Sequence, residues 1–335
     1  MIKRKFKKTK LDVWFHPFHR FFYLTRRLFE YSRYLMRIIY ATRNWWEVVK
    51  FRIGLKKDAI AYLRNGLKVE LTPKTYPIYS FLVEVINSDP KVRLKINKNI
   101  IEFNGIKFKI KEEVLSNTLS QILRIFFIDE YKHLNVKNKD VIDVGAFIGD
   151  TAIYFSLKGA RIVHAFEPYP YTYKMAKENV EINGLKNILL YNEAIGGYNG
   201  YVIIDPKYIN YTGDSLKTFS EGLEIKIRSL NSFVSQLRLN NAVLKLDCEG
   251  CEYEAILNSN NKTLETFSEI IIEYHYGYYK LMKKLRSSGF EVKILSEPKY
   301  DYNPHAENPH MLRGILYAQR TTDESEKLVS AHACS

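Results

Sequence analysis

The sequence predicts an α/β protein whose main body is a Rossmann-like parallel sheet with helices on both faces. Three observations predict it. From Asp140 onward, apolar runs of four to six residues alternate with helical stretches, as a parallel sheet with crossover helices requires. The first run, Val141-Ile-Asp-Val144, ends in a glycine turn at Gly145 that leads directly into a helix. The second run ends in an acid, Glu167, 22 residues after Gly145.

The strands fall at Val141–Val144, Ile162–Phe166, Ile188–Tyr191, Val243–Leu246, Ile270–Tyr274, Glu291–Leu295 and Gly314–Ala318, seven in all. The helices between them include roughly 149–158, 170–183, 252–258 and 277–288, and the segment 200–228 reads as a hairpin. Ahead of this body, residues 51–135 mix β-like runs (Leu67–Leu71, Ile106–Ile110) with helical stretches (Ile78–Ile86, Val114–Phe127), which describes a small α+β, cap-like region. Residues 18–48 read as an amphipathic helix. Arg26, Arg27, Glu30, Arg33 and Arg37 gather on one side, and Leu24, Leu28, Leu35 and Ile39 on the other. The expected division is a basic segment 1–50, the α+β region 51–135, the main domain 136–320 and a loose tail 321–335.

Charge narrows the function classes. The net charge is +14, but residues 1–50 hold thirteen Lys or Arg against three acids, a local +10. The remaining chain is close to neutral, so nucleic-acid binding by the whole protein loses its main support. No apolar run reaches the roughly 18 to 20 residues of a membrane span. A basic amphipathic segment without a spanning run instead suits reversible contact with an anionic membrane surface, unless the helix packs on the protein's own body. Three cysteines (Cys248, Cys251, Cys334) are too few for a secreted disulfide framework, so a cytoplasmic location is expected, at the inner face of the membrane if residues 1–50 adsorb there. Zinc at Cys248-Glu-Gly-Cys251 would need two further ligands of suitable spacing. No metal is therefore expected, and the cysteines read as small buried fillers.

The chemistry sits at the strand ends. A carboxylate such as Glu167 suits the paired hydroxyls of a ribose, in nicotinamide and S-adenosylmethionine sites alike. Glycine spacing separates the two. The dinucleotide fingerprint needs G-x-G-x-x-G, whereas here the order is Asp143-x-Gly145-x-x-x-Gly149, with Phe147 in place of the second glycine. Asp143 would also repel a pyrophosphate, yet suits the ammonium of a methionine moiety, which points to S-adenosylmethionine. The fourth strand ends in Lys245-Leu-Asp-Cys-Glu-Gly250, so Asp247 and Glu249 face the same crevice. Asp247 is the better candidate to orient a nucleophile or take its proton, while Glu249 equally suits a helix cap.

Taken together, Asp143-Val-Gly-Ala-Phe-Ile-Gly-Asp150, Phe166-Glu-Pro168, Asn179, Asn192-Glu-Ala-Ile195 and Lys245-Leu-Asp-Cys-Glu-Gly250 resemble the FkbM-type methyltransferase family over about half the chain. That family more often has Asn at Phe147 and an aliphatic residue at Cys248. The resemblance implies a seven-stranded methyltransferase sheet and S-adenosylmethionine as cofactor. It places Asp143, Gly145, Ala146, Phe147, Gly149, Asp150 and Thr151, with Glu167, Pro168, Asn192, Glu193 and Ala194, around that cofactor. It also puts His275, at the end of the fifth strand, near the acceptor as an alternative base. The expected reaction is methyl transfer to a hydroxyl of a sugar, glycan or glycolipid. A nicotinamide-dependent oxidoreductase and a catalytically silent, membrane-associated binding protein of the same fold are the alternatives.

Overall fold

The structure, a computed structural model, describes residues 32–97, 99–109, 111, 115–204, 222–302 and 310–321. The chain divides into two compact units, Met1–Val92 and Arg93–Ser335. The stretch 51–135, expected as one region, is thus shared between them. The tail expected over 321–335 lies, apart from Thr321, outside the described residues.

In the first unit, helix α1 (residues 32–41) and α2 (Trp45–Arg52) precede an antiparallel pair, β1 (Ala59–Tyr62) and β2 (Lys68–Leu71), and then α3 (Tyr76–Ser88). The helix expected over 18–48 is described only from residue 32, and it is not continuous. Thr42 bridges to Leu63, and the Asn44 amide donates to the Ile60 carbonyl at 2.6 Å while accepting from Tyr62 N at 2.8 Å. Hydrogen bonds to β1 replace those a continuing helix would need, so the chain turns there. The buried face also differs from the expected one. Leu35 is 39% exposed, whereas Ile38, Ala41 and Val48 are buried and Arg37 is paired with Glu84 of α3 at 2.6 Å. No described helix is long and apolar enough to cross a membrane.

The second unit opens with a small antiparallel sheet, β3 (Leu94–Asn97), β4 (Ile100–Phe103) and β5 (Ile106–Lys109), followed by α4 (Leu115–Ile122), which ends in a π turn at Leu123–Phe127. The main elements follow: β6 (Asp140–Val144), α5 (Asp150–Leu157), β7 (Ile162–Phe166), α6 (Pro170–Ile182), β8 (Ile188–Tyr191), β9 (Ala194–Gly196), β10 (Gly200–Ile204), β11 (Leu223–Ser229), α7 (Leu230–Leu237), β12 (Ala242–Leu246), α8 (Cys251–Leu257), α9 (Asn261–Leu264), β13 (Phe267–Tyr274), α10 (Tyr279–Ser287), β14 (Phe290–Ile294), β15 (Lys299–Tyr302) and β16 (His310–Arg320).

The main sheet runs β14-β16-β13-β12-β6-β7-β8, with β15 pairing to β16 as an eighth strand off that path. From β13 to β8 the pairs are parallel, and β16 runs antiparallel to its neighbours. The central strands β6 and β12 are buried at every position, which is why they read as continuous apolar runs rather than alternating ones. Successive connections leave β6 in opposite directions, to β7 and eventually to β12. The carboxyl ends of these strands therefore open a crevice at a topological switch point. The pair β10 and β11, expected as a hairpin, is antiparallel, and β9 adds to it in parallel; the connecting residues 205–221 lie outside the described ones.

Asn179 of α6 and Asn183, which caps its C-terminus, attach the small sheet to that helix. Asn179, fully buried, accepts from Lys109 N (2.8 Å) and donates to the Ile148 carbonyl (2.9 Å). Asn183 accepts from Lys107 N (2.9 Å) and donates back to its carbonyl (2.7 Å). Two side chains thus satisfy an edge strand that would otherwise present open polar groups.

Candidate active site

The glycine turn after β6 is shaped by the neighbouring strand. Gly145 has φ +81°, and a Cβ there would lie 1.8 Å from the Asp247 carbonyl oxygen, so only glycine fits. The close approach is made by the main chain just past the end of β12. Gly149 (φ +83°) precedes α5, and its missing Cβ leaves room for Ala176 of α6 at 3.2 Å. Phe147 holds φ +46°, a region that favours Gly or Asn.

A pocket opens over this turn. Of the expected cofactor residues, Gly145, Phe147, Asp150, Thr151, Glu167, Pro168, Glu193 and Ala194 line it. Asp143, Ala146, Gly149 and Asn192 do not. Asp143 is wholly buried. Its carboxylate accepts from Thr151 Oγ1 at 2.6 Å and pairs with Lys245 Nζ at 3.0 Å, so the ammonium it meets is the chain's own. Asn192 braces the β7 tip by donating to the Glu167 and Pro168 carbonyls at 3.0 and 2.8 Å. Glu193 is paired with Lys226 and Arg228.

Glu167, 5% exposed, accepts from Phe147 N (2.9 Å), Tyr169 N (3.0 Å) and Thr172 Oγ1 (2.8 Å). Three of a carboxylate's roughly four acceptor positions are filled, leaving one for a ligand hydroxyl. Burial pushes its carboxyl up to about 7 against those hydrogen bonds. Burial does the same to Asp150, also to about 7, with Lys245 opposing it. Lys245 escaped the sequence reading as a site residue. Its signal was a lone lysine in the buried run Val243–Leu246. It sits opposite Asp143 in the strand register, is 1% exposed, and donates to the Gly145 carbonyl at 2.8 Å. Burial favours its neutral form, but Asp143, Asp247 and Asp150 outweigh that and hold it above its ordinary value. Gln121, Ile125 and Tyr131 also line the pocket, from a stretch with no recognisable motif.

At the β12–β13 ends lie Asp247, Glu249 and His275. Asp247 and Glu249 line the pocket; His275, fully buried, stands behind them. Its Nδ1 lies 2.8 Å from Glu252 Oε1, and its Nε2 lies 3.0 Å from Glu249 Oε2 and 4.0 Å from Asp247 Oδ1. Burial alone would lower the imidazole, yet Glu252 and Glu249 raise it well above its ordinary value. Burial, with Glu273, raises Asp247 to about 7. Glu273 itself is drawn down to about 2, because Arg124, His275 and Arg313 overcome its burial.

The cysteines correct another expectation. Cys248 and Cys251 are joined in a disulfide, not packed as separate thiols, and both line the pocket. Positive φ at Glu249 (+57°) and Gly250 (+122°) folds the loop tightly enough to bring the two sulfurs together.

A parallel sheet with a glycine turn over a helix N-terminus, a carboxylate at the next strand tip and a lined pocket between them defines a Rossmann-like cofactor-binding domain. Within it, residues 143–292 match the family model of the methyltransferase FkbM domain, and the chain carries such a domain. S-adenosylmethionine is its cofactor, which disposes of the nicotinamide alternative. The pocket fits the group: Glu167 retains an acceptor position for a ribose hydroxyl, and Phe147, Phe166 and Ile195 supply apolar walls.

A candidate protein N5-glutamine methyltransferase of Methanocaldococcus jannaschii is 33% identical over 120 residues, 34% of this chain and 57% of that one, so the match spans little more than half of the relative's length. Among solved structures, TrmK from M. capricolum, bound to S-adenosyl-homocysteine, is 15% identical with a TM-score of 0.37, covering 59% of this chain and 69% of its own. The ribosomal protein L11 methylase of Lactobacillus delbrueckii subsp. bulgaricus is 16% identical with a TM-score of 0.34, covering 62% and 80%.

Proposed function

We propose that the protein O-methylates a hydroxyl of a sugar, glycan or glycolipid. The observation that carries this reading is a second groove, of about 1030 Å³, lined by Tyr198, Tyr253, Tyr276, Tyr278 and Tyr279. It shares Ile195 and Cys251 with the cofactor pocket. Tyrosine faces offer apolar area with a polar rim, which suits the alternating C–H and O–H surface of a sugar ring. When bound, S-adenosylmethionine supplies an electrophilic methyl group. The chain's own residues hold the donor on the β6–β7 side, and Asp247 orients the acceptor hydroxyl or takes its proton. Mass spectrometry of glycans, lipids and proteins from cells with and without the gene tests the reading. A glycan or lipid that loses the mass of one CH2 is expected; loss from a glutamine side chain of a protein, the chemistry named for the archaeal relative, would replace it.

We also propose that residues 1–50 hold the enzyme at an anionic membrane. Nine of the thirteen basic residues there lie in 1–31, outside the described residues. Within the described part of that segment, Met36, Tyr40 and Trp46 are 64%, 53% and 48% exposed, a composition that suits an interface. Each basic residue near such a surface contributes about 1 kcal/mol. Full-length protein should pellet with anionic vesicles at low salt, and a chain starting near Lys50 should not. If both stay in the supernatant, the membrane reading fails.

A further inference from the structure

We propose that Asp247, Glu249 and His275 bind a divalent metal ion in the wall of the cofactor pocket. One donor atom from each lies within 4.8 Å of the others. Metal–ligand bonds of about 2.0–2.2 Å place opposite donors roughly 4 Å apart, so a shift of a few tenths of an ångström closes the set.

Two features point to a cation-binding role. The first is the imidazole. His275 is fully buried, its Nδ1 is fixed by Glu252 at 2.8 Å, and its Nε2 points toward the two pocket carboxylates. Metal-binding histidines are oriented in this way, by a carboxylate behind the ring. Yet Nε2 has no hydrogen-bond partner, and neither has Glu249 Oε2. Their 3.0 Å separation lies off the hydrogen-bonding direction and satisfies neither atom.

The second feature is charge. Nearby, Glu130 and Glu273 are matched by Arg124, Glu273 also by Arg313, and Lys245 is matched by Asp143. Arg313 approaches Glu249 only to 3.8 Å. Asp247, Glu249 and Glu252 converge on one imidazole, and the nearest other cations, Lys245 and Arg313, are already in closer pairs with Asp143 and with Glu273 and Asp301. A cation seated between Nε2 and the two carboxylates answers the charge and both unpaired atoms together. Two carboxylates and one imidazole suit Mn²⁺, Fe²⁺ or Zn²⁺ better than Ca²⁺. Because Asp247 and Glu249 face the pocket, open coordination positions would point into it. On the hydroxyl-acceptor reading above, such an ion would take the acceptor oxygen and ease loss of its proton.

The test is a titration of the full-length, oxidised chain with Mn²⁺ alone, followed by electron paramagnetic resonance. One ion per chain is expected, with a nitrogen coupling from the imidazole. Asp247→Asn and Glu249→Gln should each weaken binding at least tenfold, and Glu252→Gln by about 10- to 100-fold. His275→Gln should remove the nitrogen coupling, with thermal melting to verify that each variant is folded. No stoichiometric binding at millimolar Mn²⁺ overturns the proposal, as does binding unchanged in Asp247→Asn and Glu249→Gln. A protonated imidazole then fills the site alone. Since neither cofactor nor acceptor is present, such a failure leaves the methyl-transfer reading intact.

Discussion

Two carboxylate sites face one crevice, and they are built differently. At the β7 tip, Glu167 receives three hydrogen bonds from its own loop and helix, so its position is set before any ligand arrives. At the β12–β13 tips, Asp247 and Glu249 lie beside an imidazole whose second nitrogen has no partner. A satisfied carboxylate is a fixed template, whereas an unsatisfied group is held ready for something that binds. The contrast supports the proposal that donor placement belongs to one end of the crevice and acceptor chemistry to the other.

The sharpest way to break that assignment is Asp247→Asn. Turnover should fall about 10²- to 10⁴-fold, as for loss of a proton-accepting or orienting group. Affinity for S-adenosyl-homocysteine, measured by calorimetry, should stay within about threefold. Equal damage to both would mean that the two ends are one site. The complementary variant, Glu167→Ala, should weaken cofactor binding more than roughly tenfold with the fold intact. Unchanged affinity would remove Glu167 from the donor end.

Acidity refines the comparison. A ribose hydroxyl donates to an ionised carboxylate, and Glu167 titrates near 7, so cofactor affinity should fall about tenfold between pH 8 and pH 6. Stability without ligand should run the other way. Glu167 and Asp150 have raised values, so the folded chain binds more protons than the unfolded one between about 4 and 7. Their contribution is therefore lost as pH rises through that window. Melting temperatures that track affinity in the same direction would contradict it. The smallest effect expected is from Phe147→Asn, which relieves a side chain at φ +46° and should stabilise the chain by about 0.5–1 kcal/mol. A loss of stability would show that the Phe147 ring packs more tightly than its backbone is strained.

Much of the main sheet was legible, because β6, β7, β12 and β13 are buried runs of the length a parallel strand requires. The glycine turn was legible too, though not its reason: sequence cannot show that the Asp247 carbonyl crosses Gly145. Lys245 was hidden because its register opposite Asp143 exists only once the strands pair. The disulfide was missed because two cysteines without further ligands look inert until Glu249 and Gly250 adopt positive φ. The N-terminal helix misled for a related reason. Periodicity showed an apolar stripe at Leu35 and Ile39, but Asn44 and Thr42 tie the chain to a strand pair, and tertiary hydrogen bonds decided which face turned inward.

One consequence follows from the contact between Gly145 and Asp247. Asp247 N donates to the Val144 carbonyl at 3.1 Å, and the carbonyl of Asp247 fills the space a side chain at Gly145 would take. The spacing between the donor turn and the acceptor acid is therefore set by main chain, like two marks on a ruler. Side chains of the tyrosine groove stand outside that gauge. If that groove holds the acceptor, as proposed, exchange of Tyr198 or Tyr279 should rewrite acceptor preference without recalibrating the distance over which the methyl group must pass.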